Sequence, residues 1–171
     1  MIKVSIVILN WNGLPFLKQF LPILADHSPP DLSRIVVADN GSTDGSAQWL
    51  MENHPGILLM TLDRNHGYAE GYNLALKQID TPFAVLLNTD VEVTGGWLEP
   101  LLEQMDNPLY GTVMPKMRNG STSRVVYLTC ASLTDWAKSR SWVRASARSL
   151  RTSSVLPSAR AFLARATSSR V

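Results

Sequence analysis

Four polar clusters, each following an apolar run, hold the residues able to do chemistry: Asn10-Trp11-Asn12-Gly13, Asp39-Asn40-Gly41-Ser42, Asn65-His66-Gly67-Tyr68 and Asn88-Thr89-Asp90. The last follows FAVLL and continues to Glu92, so one stretch (83–93) passes from unbroken apolar to polar. A carboxylate such as Asp90 can meet a divalent cation and phosphate oxygens, because hard cations favour oxygen ligands. Asn, Thr and Asp also suit a plain turn, so local sequence alone leaves both readings open. What decides between them is whether the clusters meet.

The elements needed to bring them together are legible. Residues 4–9, 35–38, 57–62 and 83–87 are short, apolar and rich in β-branched side chains, as expected for strands buried on both faces. Between them the spacing changes to helical. Leu14, Leu17, Leu21 and Leu24 share one face, as do Tyr72, Leu76 and Ile79. Ser42 or Thr43 is placed to cap a helix through Leu50, with Asp44 at its positive end; Thr94 is placed to cap another over 97–105. Residues 111–114 read as a short fifth strand. Alternating strand and helix predicts parallel, right-handed βαβ units with helices on both faces, a three-layer Rossmann-like sheet. All four polar clusters then fall on the carboxyl edge, where open α/β sheets bind ligands. Asp39 and Asp90, 51 positions apart in the chain, face one site.

Composition narrows the class. With 45% apolar and 18% charged residues over 171 positions, the chain fits one globular domain. A single cysteine, Cys130, excludes an internal disulfide and a thiolate cluster. No apolar run reaches the roughly 18 residues of a membrane span, and the default expectation is a cytoplasmic protein. Neither G-x-G-x-x-G nor G-x-x-x-x-G-K-[ST] occurs, which argues against a dinucleotide fold of the usual kind and against a P-loop. His27, His54 and His66 lack metal-ligand spacing and read as turn or surface residues. Nothing in the aromatic pattern suggests nucleic acid.

The ordered set VSIVILNWNG, VVADNGSTDGS, NHGYAEGYNLAL and VLLNTDVEV resembles the family 2 glycosyltransferases of the GT-A fold, over residues 2–116. Asn-Thr-Asp is most similar to the rhamnosyltransferase-like branch, where Asn often opens the Asp-x-Asp motif. The resemblance implies a nucleotide-diphosphate sugar donor, a saccharide or lipid-linked acceptor, and Mg2+ or Mn2+. By position it implies that Asn10 and Trp11 line the nucleoside and that Asp39 contacts the base or ribose. Asn65, Gly67 and Asn73 lie beside the nucleotide and donor, Asn88 near the ribose, and Asp90 on the metal. Glu92 is a weaker candidate, and Asp44 reads as a helix-start residue. In inverting members of the family the catalytic base is a carboxylate further downstream, where this chain offers only Asp135, so the base is left unassigned. A nucleotidyltransferase of similar fold would need a basic loop after the first strand, and 10–13 has no Lys or Arg.

Charge divides the chain near residue 118. Residues 1–117 hold 6 Lys and Arg against 13 Asp and Glu; residues 118–171 hold 10 against 1, with 12 serines. The expectation is a nucleotide-sugar-binding domain over 1–117, truncated relative to the family, and a basic tail over 118–171 that is disordered, irregular or read out of frame. Residues 136–166 offer a rival reading as a basic amphipathic helix on an anionic membrane, at the inner face, although Pro157 interrupts it.

Overall fold

The computed structural model describes residues 2–107, 109–115, 117–118, 125–126 and 161–165. Strand β1 (Val4–Asn10) lies at the centre, and helix α1 (Leu14–Asp26) leads to β2 (Ser33–Asp39). Helix α2 (Ser46–Asn53) leads to β3 (Leu58–Thr61), and α3 (Gly67–Leu76) leads to β4 (Phe83–Leu87). These four strands are parallel, in the order β3-β2-β1-β4. After β4 come α4 (Glu99–Met105) and the two-residue strand β5 (Thr112–Val113). Met117–Arg118 (β6) and Val125–Val126 (β7) pair as a small antiparallel ribbon.

Alternation within the strands sorts side chains onto two faces. Val4, Ile6 and Ile8 of β1 join Val37, Val85 and Leu87 on one face, packed against Leu17, Leu21 and Leu24 of α1, Leu50 of α2, and Leu101 and Met105 of α4. Val7, Val36, Ala38 and Leu86 point the other way, onto Tyr72 and Ala75 of α3. Connection handedness explains this division. The crossovers β1→β2 and β2→β3 step the same way along the sheet, whereas β3→β4 returns past β1. Right-handed crossovers must therefore place α3 opposite α1 and α2.

The strand and helix order expected from periodicity is the order observed, and the sheet is mostly parallel with helices on both faces. Two details differ. Helix α2 begins behind Gly45 (φ 83°), not behind a Ser42 or Thr43 cap, because Asp44 holds its first turn instead. Helix α4 begins behind Leu98 with no side-chain cap, so Thr94 does not start it; the chain over 91–98 buries Val91, Val93 and Leu98 as a loop. The apolar run of β4 ends at Leu87, where Asn88 leaves the ladder.

Part of the stretch expected as an irregular tail belongs to the sheet. Ala161–Arg165 (β8) lies antiparallel between β4 and β5, with Leu87 opposite Ala161 and Val113 opposite Leu163. These five residues are a strand and not part of an amphipathic helix. The remainder of the proposed 136–166 helix, with Pro157, lies outside the described residues, as does Asp135.

Candidate nucleotide-sugar site

Strand register builds the site. Asn10 pairs with Asp39, and Asp39 with Thr61, so the ends of β1, β2 and β3 are level. Beyond them the ladder extends one rung, with Asn40 N donating to Asn10 O at 2.7 Å and Leu62 N to Asp39 O at 2.8 Å. The chain reverses strand order between β1 and β4, and such a switch point opens a crevice at the carboxyl edge. The loop after β1 meets the end of β4 there: a Cβ on Gly13 would lie 2.6 Å from Asn10 Oδ1 and 3.5 Å from Thr89 Cγ2.

Asp39 is 4% exposed and held from two sides. Asn10 Nδ2 donates to its Oδ1 at 2.9 Å, and the Ser42 backbone N–H donates to its Oδ2 at 3.1 Å. Each oxygen keeps a lone pair, so Asp39 can still accept a ligand's N–H or O–H. Asn10 Nδ2 also donates to Ser42 Oγ at 3.1 Å, and Asn10 Oδ1 is buried without a partner among the described residues. Buried polar atoms are normally satisfied, so an unpaired acceptor at the switch point marks a place for a donor.

Asn12 takes a left-handed backbone (φ 51°), which asparagine tolerates better than most residues. Its N–H donates to Ser42 Oγ at 2.9 Å and its Oδ1 accepts from Thr43 N at 2.8 Å, zipping the β1 and β2 loops together. Asp44 closes the far side. It accepts from Leu14 N at 2.8 Å, at the start of α1, and from Ser46 N at 3.0 Å and Ser46 Oγ, at the start of α2. Burial works against its charge, yet these hydrogen bonds prevail and hold its pKa below the usual carboxylate value. The helix-start reading of Asp44 holds, at two helices at once.

On the third loop, Asn65 Oδ1 accepts from Gly67 N at 2.7 Å and from Asn40 Nδ2 at 3.1 Å. Tyr68 OH donates to Asn88 Oδ1 at 3.3 Å, linking α3 to the end of β4. Tyr72 is fully buried below it and donates to Leu87 O at 2.9 Å; desolvation foremost, then Tyr68 and the charge of Asp90, push its pKa well up. Asn73 sits two turns into α3, half-buried. Trp11 is 57% exposed beside the site, its indole able to meet a ring. His66 lies between Asp63 (2.6 Å) and Glu70 (3.8 Å) at the start of α3. The structure thus brings Asn10, Asp39, Asn65, Gly67 and Asn88 into connected loops, with Asp90 and Trp11 on the same edge. Sequence reasoning placed Asn12, Asn40 and Ser42 in the polar clusters but gave them no part in holding the loops together, because their turn-like composition conceals their cross-loop bonds.

Asp90 is half-buried just past β4, and Glu92 is exposed. Among the described residues, no group of three or more His, Cys, Asp or Glu side chains is placed to enclose a metal. A lone carboxylate can serve a divalent ion only where the ion's other oxygen ligands come from elsewhere, such as a diphosphate and water.

Fold and site define a doubly wound α/β domain of the GT-A kind, with its ligand edge at the β1/β4 switch point. Residues 5–157 match Glycosyl transferase family 2, and the chain belongs to that family. The match runs past residue 116, where the resemblance of the motifs ends. The chain is 26% identical over 126 residues to the N-acetylglucosaminyl-diphospho-decaprenol L-rhamnosyltransferase of Mycobacterium tuberculosis, covering 67% of this chain and 41% of that protein. It is 29% identical over 109 residues to the teichoic acid poly(glycerol phosphate) polymerase of Staphylococcus epidermidis, covering 61% of this chain and 15% of the polymerase. It therefore spans less than half the length of either relative. Among solved structures, S. aureus TarS 1-349 in complex with UDP-GlcNAc has a TM-score of 0.64 at 23% identity, covering 74% of this chain and 38% of that one. Mannosyltransferase PcManGT from Pyrobaculum calidifontis, in complex with GDP-Man and Mn2+, has a TM-score of 0.60 at 22% identity, covering 70% and 36%. Among the described residues, no helix is long and apolar enough to cross a membrane.

Proposed function

We propose that this chain forms the donor-binding part of a glycosyltransferase that moves a sugar from a nucleotide-diphosphate sugar to a saccharide or lipid-linked acceptor. The observation that carries the reading is the convergence of Asn10, Asp39, the 65–67 turn and Asn88 on the switch-point edge. Asp39, an acceptor with spare lone pairs, would take an N–H of the base or a hydroxyl of the ribose. Trp11 would cover the nucleoside, and Asn65, Gly67 and Asn73 would flank the donor. Asp90 would hold Mg2+ or Mn2+, which when bound supplies Lewis-acid stabilisation of the charge developing on the leaving diphosphate. The GDP-Man and Mn2+ of PcManGT and the UDP-GlcNAc of TarS support a donor of this class. In this reading residues 1–117 are the donor domain, completed by β8. The remaining basic stretch of 118–171 would touch an anionic membrane on its cytoplasmic face, where a lipid-linked acceptor would be met.

Calorimetry with UDP, GDP and their sugar conjugates tests the site. Wild type should bind one of them in Mn2+ and lose it on chelation, and Asp90→Ala should abolish the metal-dependent part. Asp39→Ala should weaken binding by about tenfold or more, the scale of a lost hydrogen bond to a charged group. Equal binding with and without Mn2+ would remove the role given to Asp90. A second reading, a binding part without catalysis, is supported by one observation: among the described residues at this edge, none is left over as an acceptor-side base once the donor roles above are assigned. Donor hydrolysis or transfer by the purified chain rejects that second reading; binding without turnover supports it.

A further inference from the structure

We propose that Asn40 is a positioning residue whose side-chain amide locks the β2–α2 and β3–α3 loops into one wall of the site and thereby sets affinity for a nucleoside diphosphate. The proposal rests on the donor-site reading above. Asn40 is 2% exposed, directly behind Asp39, and its own N–H is anchored to Asn10 O. Its amide is used at every position across the gap. Nδ2 donates to Asn65 Oδ1 and to Gly67 O, both at 3.1 Å, while Oδ1 accepts from His66 N at 2.9 Å. Three consecutive residues are thus wrapped around one buried amide.

The arrangement settles a local deficit. His66 is the N-cap of α3 and makes no side-chain cap bond, so the first N–H groups of that helix need acceptors from elsewhere. Asn40 Oδ1 takes His66 N, and Asn65 Oδ1, held by Asn40 Nδ2, takes Gly67 N. Gly41 adds a steric half to the lock: with φ at 73°, a Cβ there would sit 2.7 Å from the Arg64 backbone carbon. Loops pressed this closely move as a unit, and a pre-organised wall saves ordering entropy when a ligand binds. Only an amide serves all three partners. A carboxylate would keep the His66 N–H but would face Asn65 Oδ1 and Gly67 O with no proton to offer.

The test uses the full chain with Asn40→Ala, Asn40→Asp and, as a control, Ser5→Ala. Ser5 is buried at the opposite edge of the sheet, bonded to Thr81 at 2.8 Å and Arg34 at 2.9 Å, so its loss lowers stability without touching the site. Calorimetry with UDP and GDP in Mn2+ gives Kd, and amide exchange gives the state of the loop. Asn40→Ala should speed exchange at His66 and Gly67; Asn40→Asp should speed Gly67 and leave His66 protected. Both should raise Kd by about tenfold, while Ser5→Ala stays within about twofold, as expected if the effect is lost pre-organisation and not lost stability. Unchanged Kd in both Asn40 variants, or exchange at the wild-type rate in both, overturns the role of Asn40 while wild-type binding stands. Wild type that binds neither nucleotide overturns the donor-site reading, and Asn40's place in it falls with that reading.

Discussion

At the scale of single residues, the site is a set of short polar side chains that satisfy one another across loops. Asp44 shows how charge is used. It receives N–H groups from the first turns of α1 and α2, where helix dipoles favour an anion. Its pKa is lowered on folding, so its contribution is fully present above the unfolded carboxylate value of about 3.9 and is lost as pH falls through the lower folded value. Asp44→Ala should cost about 2 kcal/mol at pH 7, the scale of hydrogen bonds to a charged group. In urea titrations the gap from wild type should narrow steadily below pH 4. A gap that stays constant down to pH 2 would mean that Asp44 acts through packing and not through charge.

At the scale of elements, each helix is held by an apolar stripe and not by its caps. None of the four helices has a side-chain bond at its N-cap, and Pro22 interrupts the hydrogen bonding of α1 without ending it before Asp26. What fixes α1 is Leu17, Leu21 and Leu24, each 1% exposed against β1 and its neighbours. Leu21→Ala should therefore destabilise by about 2–5 kcal/mol, the range for a fully buried leucine truncated in a packed core. Chemical denaturation measures this directly, and a loss below about 1 kcal/mol would show that α1 repacks freely. Because α1 starts at the Leu14 N–H bound by Asp44, the same truncation should also loosen the 10–13 loop.

Across the whole molecule, the sheet joins segments far apart in sequence. Strand β8 inserts between β4 and β5, so Leu163 is flanked by Val85 on one side and Val113 on the other. A proline there must delete a ladder bond to one neighbour or the other. Leu163→Pro should lower the thermal midpoint and accelerate amide exchange in β4, while β2 and β3, on the far side of β1, keep their protection. Unchanged exchange in β4 would show that β8 adds nothing to the sheet. The basic surplus of 118–171 also belongs to this scale, since a net charge of one sign acts over a Debye length and not through one contact.

The amino-acid sequence by itself determined the alternation of strand and helix, because a period of two or of 3.6 is written in where the apolar residues fall. It also determined which clusters could do chemistry, since each sits where an apolar run stops. Asp39 and Asp90 could be assigned to one edge because alternating strand and helix implies parallel strands, whose carboxyl ends lie together. What the sequence could not show is how the clusters hold one another. Asn12, Asn40 and Ser42 look like turn residues because short polar side chains suit turns wherever they occur. Their partners lie 25 to 32 positions away, and only the parallel register of β1, β2 and β3 brings them within hydrogen-bond reach. Strand β8 was hidden for a related reason: five residues in a Ser- and Arg-rich stretch carry little pattern of their own, and pairing with β4 supplies what composition lacks.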